Sequence, residues 1–236
     1  MPKSFRFRVV YCLASLVLLA VASPFIEELR DATLIEAALM TMVLLSAVVA
    51  VGDRGIRLTL TLLLVVPALF ARWASYYRPD LVPTAVFDGI GMLFLGFVVV
   101  QLLRFIFLAP RVDSEVLCAG VAIYLMIGLF WNLAYGLVDR LFPDSFVFTI
   151  GPPSDRSMDG FQGLYFSFVT LSTVGYGDII PVSKVARMLA MVEAVFGMFY
   201  VTLLIARLVS LYSSNRVNNG ARREDRDGEN KGTRRS

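Results

Sequence analysis

Nine consecutive residues, Thr170-Leu171-Ser172-Thr173-Val174-Gly175-Tyr176-Gly177-Asp178, combine a hydroxyl, two glycines spaced by one residue, and a closing carboxylate. Their chemistry lies in the backbone. Glycine accepts a positive φ without steric cost, so Gly175 and Gly177 let successive carbonyl oxygens abandon the alternation of a strand and point at one axis. A row of such oxygens can stand in for the water shell of a dehydrated cation. Thr173 adds a hydroxyl below the lowest carbonyl, and Asp178 ends the row with a charge. At ~3.3 Å per residue, the stretch 173–177 is roughly 12–16 Å long. Other chemistries are excluded. The chain of 236 residues contains no histidine, which removes imidazole catalysis and His-ligated metals. Cys12 and Cys118 sit in apolar runs and read as reduced small hydrophobes.

The elements that must position this stretch are membrane helices. The chain is 57% hydrophobic and only 17% charged, with a mean hydropathy of +0.71. Soluble domains carry about 25% charged residues, so an ordinary soluble enzyme, a nucleic-acid reader and a disordered chain are all excluded. Six apolar stretches, 9–26, 32–51, 56–75, 86–109, 116–138 and 185–211, are long enough to cross a bilayer. Pro67 should kink the third. Trp73, Tyr76 and Tyr77 on the third stretch, and Trp131 and Tyr135 on the fifth, suit a membrane interface. A further apolar stretch, 161–172, reaches only ~18 Å and reads as a re-entrant half-helix. Its C-terminal end carries a partial charge of about −0.5, aimed at the depth left over beneath 173–177.

Charge sets the orientation. With both termini inside, fifteen of the 22 Lys and Arg residues are cytoplasmic, including Lys3, Arg6, Arg8, Arg104 and the eight from Arg207 onward. The acids lean outward: Glu27, Glu28, Asp31, Asp80, Asp139, Asp144, Asp155 and Asp159 fall in outer loops. Lys3 to Arg8, an apolar run and Ala20-Val21-Ala22-Ser23 also resemble a cleavable signal peptide. The apolar run continues through Ile26, which favours retention as a span. Residues 213–236 form a short polar cytoplasmic tail.

The string Thr173-Val174-Gly175-Tyr176-Gly177-Asp178, set between a half-helix and a last span, resembles the T-V-G-Y-G-D selectivity filter of prokaryotic potassium channels. The resemblance covers about residues 115–212, with Pro181-Val182, Arg187 and Gly197 following the filter. It implies an all-α membrane protein of six transmembrane helices, with a re-entrant pore helix and filter loop between helices five and six. Residues 1–112 would be a four-helix region and 113–212 the pore domain. It further implies a homotetramer in the bilayer, with K+ held by the backbone carbonyls of Thr173, Val174, Gly175, Tyr176 and Gly177. No cofactor besides the permeant ion, no nucleic acid and no soluble partner is expected. A bacterial inner membrane suits the basic termini.

In the resembled family the carboxylate matching Asp178 braces the filter, in some relatives against a pore-helix glutamate. That position is Val169 here, so Tyr165 is the candidate partner; alternatively it packs with Phe161, Phe166 and Phe168. Gly197 is either a gating hinge or a site of close helix packing. Met198, Val201 and Ile205 share a helical face and either gate the pore by dewetting or merely line its cavity. Glu193 is an acid within the last span. Burying it costs about 3 kcal/mol unless it is paired or protonated. Ser172 and Thr170 are its nearest partners by sequence, and its role is hydrogen-bond glue or proton sensing. The fourth stretch lacks an arginine ladder, having only Gln101 and Arg104, so steep voltage dependence is not expected.

The reading is a potassium-selective channel subunit, not an enzyme. Its rivals are a weakly selective cation channel and a non-conducting membrane partner. The filter assignment makes a direct prediction. Gly177→Ala adds a Cβ where φ is positive, costing about 1 kcal/mol or more in every subunit. Loss of K+ current or of K+/Na+ discrimination is expected, and unchanged reversal potentials in mixed K+ and Na+ would refute the assignment.

Overall fold

The computed structural model describes residues 3–26, 32–51, 56–77, 83–109, 114–150 and 156–233. Of the outer acids, Glu27, Glu28, Asp31, Asp80 and Asp155 lie outside this set. The chain is helical almost throughout. In order come α1 (Lys3–Ile26), α2 (Ala32–Val51), α3 (Ile56–Tyr77), α4 (Thr84–Leu108), α5 (Ser114–Leu141), β1 (Phe146–Phe148), α6 (Gly160–Leu171), β2 (Ile179–Pro181) and α7 (Lys184–Thr233).

Five of these helices are long and apolar enough to cross a membrane: α1, α2, α4, α5 and α7. The third apolar stretch differs from the other five. Its apolar core, Leu58–Ala74, has 17 residues, shorter than a typical span, and carries Pro67 near its middle. The protein is a multi-pass, all-α membrane protein, with one addition. β1 and β2 pair antiparallel in a register of Phe146↔Pro181, Val147↔Ile180 and Phe148↔Ile179. Three-residue strands are too short to leave a periodicity in the sequence, so this ribbon was not anticipated. The backbone of α7 also stays helical through the polar tail as far as Thr233.

The helices pack around α5. Its largest seam is with α4, while α1 lies against both α2 and α5, and α3 bridges α2 and α4. α5 is buried on nearly every side, from Val116 through Ala122, Ile123, Met126 and Ile127 to Val138. A helix apolar all round suits that central place. α6 leans on α5 and α7. α7 itself is different: 17% of its apolar stretch is buried within the chain, against 61% for α5. Its buried positions, Ala186, Glu193, Gly197 and Tyr200, form one stripe facing α5 and α6. Met188, Met191, Phe196, Phe199 and Leu203 stand exposed beside it.

Close approach at the α5–α6 joint depends on glycine. A Cβ on Gly163 would collide with the Met158 carbonyl oxygen and with Oδ1 of Asn132. The obstacle includes backbone, which cannot rotate away. Gly163→Ala should therefore destabilise the fold by about 1–3 kcal/mol, as overpacked cores do. A thermal midpoint equal to wild type in the same detergent would show that this joint is looser than described.

Candidate ion-binding site

α6 ends at Leu171, and the next residues turn back to cap it. The amide of Ser172 donates to the Phe168 carbonyl (3.0 Å) and that of Thr173 to Thr170 (2.9 Å). The amides of Val174 and Gly175 both reach the Val169 carbonyl, at 3.0 and 3.2 Å. Helix ends leave carbonyls without partners, and here the entry to 173–177 satisfies them. The helix and the following loop are thereby locked together.

Within the loop φ is +59° at Thr173, +57° at Gly175 and +80° at Gly177. Every second residue is left-handed, which turns the peptide planes so that carbonyls need not alternate. Thr173 was not anticipated. A β-branched residue in this region is strained, and such strain persists only where its surroundings impose it. Among the described residues, no hydrogen-bond donor of the chain reaches the carbonyl oxygens of Thr173 to Gly177. The side chains of Val174 and Tyr176 are exposed in the single chain, at 54% and 72%.

The far end of the loop is held from two directions. Tyr165 donates its hydroxyl to Oδ2 of Asp178 at 2.6 Å, and its ring stacks on Tyr176 at 6.4 Å between centres. Tyr165 also meets Phe161, so hydrogen bonding and ring packing occur together. Phe166 and Phe168 belong elsewhere. Phe166 packs with Tyr135 and Phe146, and Phe168 with Tyr124. From the other side, Thr149 at the end of the ribbon donates both its amide (2.8 Å) and its hydroxyl (3.0 Å) to the Asp178 carbonyl. The Val182 amide donates to Ser145 at 2.8 Å, continuing the ribbon's grip. Thr149 carried no sequence signal, because its role depends on a pairing 29 residues apart.

Glu193 is fully buried, but not beside Ser172 or Thr170. Ser172 turns its hydroxyl to the Phe168 carbonyl at 2.6 Å. The partners of Glu193 are Ser167 of α6, donating to Oε1 at 2.6 Å, and Tyr135 of α5, donating to Oε2. Ser167 Oγ also lies 2.8 Å from the Gly128 carbonyl of α5. Ser167 lies about one turn before Thr170, towards the N-terminal end of α6, and Glu193 sits correspondingly nearer that end than the sequence indicates. All three groups are buried, and together they join α5, α6 and α7.

Gly197, one turn beyond Glu193, faces the end of α6. A Cβ there would collide with the Leu171 carbonyl oxygen, so in this structure Gly197 is a point of close helix contact. Met198, Val201 and Ile205 project away from that contact and are exposed in the single chain, at 58%, 42% and 55%.

The buried triad sets up a comparison of two substitutions. Glu193→Gln retains shape and an acceptor oxygen, so near-normal stability is expected. Glu193→Ala leaves the Tyr135 hydroxyl without its acceptor, and an unsatisfied buried polar group costs about 1–3 kcal/mol. Thermal unfolding of the two variants measures the difference; equal midpoints for Ala and wild type would show that the triad contributes nothing.

Comparison with known proteins points the same way. Residues 114–214, which hold every element of this site, match a family model described as an ion channel. Two-pore potassium channel 4 of Arabidopsis thaliana is 35% identical over 91 residues, covering 38% of this chain and 30% of the relative. Two pore potassium channel a of Oryza sativa subsp. japonica is 31% identical over 86 residues, or 36% of this chain and 21% of the relative. Over a shorter stretch of 46 residues, covering 20% of this chain and 13% of the relative, identity to Two-pore potassium channel 1 of Arabidopsis thaliana is 48%. The chain thus spans less than a third of the length of these plant relatives. Within that span, the segment from α5 to α7 is similar to ion-channel proteins and to parts of named potassium channels.

Proposed function

We infer that the protein is a subunit of a potassium-selective channel, passing K+ down its gradient. The observation that carries this reading is the loop 173–177, with left-handed φ at alternate residues and carbonyl oxygens that no donor among the described residues reaches. Such oxygens have a use only if something else binds them, and a dehydrated cation is the partner their partial charge suits. The names of the matched plant relatives favour K+ as that cation.

One chain provides one wall of a pore. In the proposed assembly four copies surround an axis, with the backbone carbonyls of Thr173, Val174, Gly175, Tyr176 and Gly177 as successive K+ sites. Met198, Val201 and Ile205 line the cavity below. The face of α7 that its own chain leaves uncovered is available for contact between copies, and Met198, Val201 and Ile205 are exposed on α7. Residues 113–212 form the pore unit. Residues 1–112 supply four peripheral spans, α3 included, with both termini cytoplasmic in what we read as a bacterial inner membrane.

Purified protein in liposomes tests the reading. A K+ gradient should drive flux, the reversal potential in mixed K+ and Na+ should follow K+, and cross-linking should stop at four subunits. A reversal potential indifferent to the K+/Na+ ratio would make it a weakly selective cation channel. Absence of any flux would make it a non-conducting membrane partner.

A further inference from the structure

At the end of the bundle that carries Asp178, charged side chains link α2 to α3, and α4 to α5 and the residue before α6. Arg72 near the end of α3 pairs with Glu36 of α2 at 3.4 Å, and its guanidinium lies 5.2 Å from the ring centre of Phe87 on α4. Asp88, the next residue of α4, is paired with Arg140 near the end of α5. A second nitrogen of Arg140 is paired with Asp159, the residue that immediately precedes α6.

Three features set the Arg140 pair apart from ordinary surface charge. The Asp88 side chain is 5% exposed, and a buried carboxylate that loses its counter-charge is strongly destabilising. Gly136, one turn before Arg140, lies against the pair. A Cβ there would sit 3.3 Å from Arg140 Nη1 and 3.6 Å from Asp159 Oδ1. Finally, Asp159 occupies the N-cap of α6 yet makes no side-chain bond to its amides. An aspartate there ordinarily caps the helix. This one faces Arg140 instead, forgoing local stabilisation for a contact that ties α6 to α5 and α4. A guanidinium suits the task, because its planar fork holds two carboxylates in fixed directions.

We propose that Arg140 is a positioning residue that clamps the N-terminal end of α6 to α4, so that the peripheral helices set the orientation of the half-helix. α6 is a rigid rod of 12 residues whose other end is bonded to Thr173, Val174 and Gly175. A displacement at Asp159 is therefore felt at the loop. This last step rests on the channel reading; the clamp itself does not.

The test uses the full chain in liposomes, with hydrogen exchange of amides 164–171 as the first readout and K+/Na+ permeability as the second. Asp159→Ala cuts only the link to α6 and leaves Asp88 paired. It should speed exchange in α6 by about threefold or more and lower the permeability ratio, with the thermal midpoint little changed. Asp159→Glu should restore both. Asp88→Asn, on a different helix, should also speed exchange in α6. Unchanged exchange in Asp159→Ala, or an Asp88→Asn effect confined to α4, overturns the clamp. A conducting protein with that result keeps the channel reading and loses the clamp. A non-conducting wild type whose α6 exchange responds as stated loses the channel reading and keeps the clamp.

Discussion

The structure is organised around a row of backbone carbonyls that no donor among the described residues reaches. Elsewhere in a membrane protein each backbone polar group must find a partner inside the fold, because the surrounding medium offers none. From Thr173 to Gly177 the rule is suspended, and the conformation that suspends it is unfavourable. Left-handed φ at Thr173 alone costs on the order of 1–3 kcal/mol. No interaction within the loop can hold such a shape, so the surroundings must. The Val169 carbonyl grips one end, while Thr149 and Tyr165 grip the other at Asp178.

Those grips are useful only if α6 and the β1–β2 ribbon are themselves fixed. Apolar packing against α5 and α7 supplies affinity but little register, since side chains of similar size allow helices to slide. The buried triad of Tyr135, Ser167 and Glu193 is directional, and in a low-dielectric interior its bonds are strong when all are made and costly when one is lost. It specifies a single depth for α6 between its neighbours. Gly197 and Gly163 complete the arrangement by letting backbone meet backbone at each end of that helix. An α7 that is buried along only one stripe then presents the rest of its apolar surface to whatever stands beside it.

The peripheral helices meet this core in a different manner. α4 carries Gln101 and Arg104 where a voltage sensor would need a ladder, and Arg104 is exposed. The conspicuous charges lie at the opposite end of the bundle, where Asp88, Arg140 and Asp159 connect α4, α5 and the start of α6. The ion pairs at this end, rather than charges along α4, are what join the peripheral helices to α6.

What was legible in the sequence was what depends on neighbours along the chain. The spans at 9–26, 32–51, 86–109, 116–138 and 185–211 match the apolar spans of the observed helices within a few residues, because apolar length and flanking charge are local properties. The half-helix at 161–172 was legible for the same reason, and so were the positive φ angles of Gly175 and Gly177, which only glycine adopts freely. Tertiary structure alone decided which side chains meet. Glu193 pairs with Ser167 and Tyr135 rather than with Ser172 or Thr170, because its partner depends on the axial offset of α7 against α6. A slip of three residues, about 4.5 Å, exchanges Thr170 for Ser167 while leaving both helices equally apolar and equally long. Likewise Thr149 finds Asp178 only once β1 and β2 are paired, and Asp159 meets Arg140 only once α6 is packed on α5. The sequence determines each helix; the relative height and rotation of the helices, set by packing between residues far apart in the chain, determine the site.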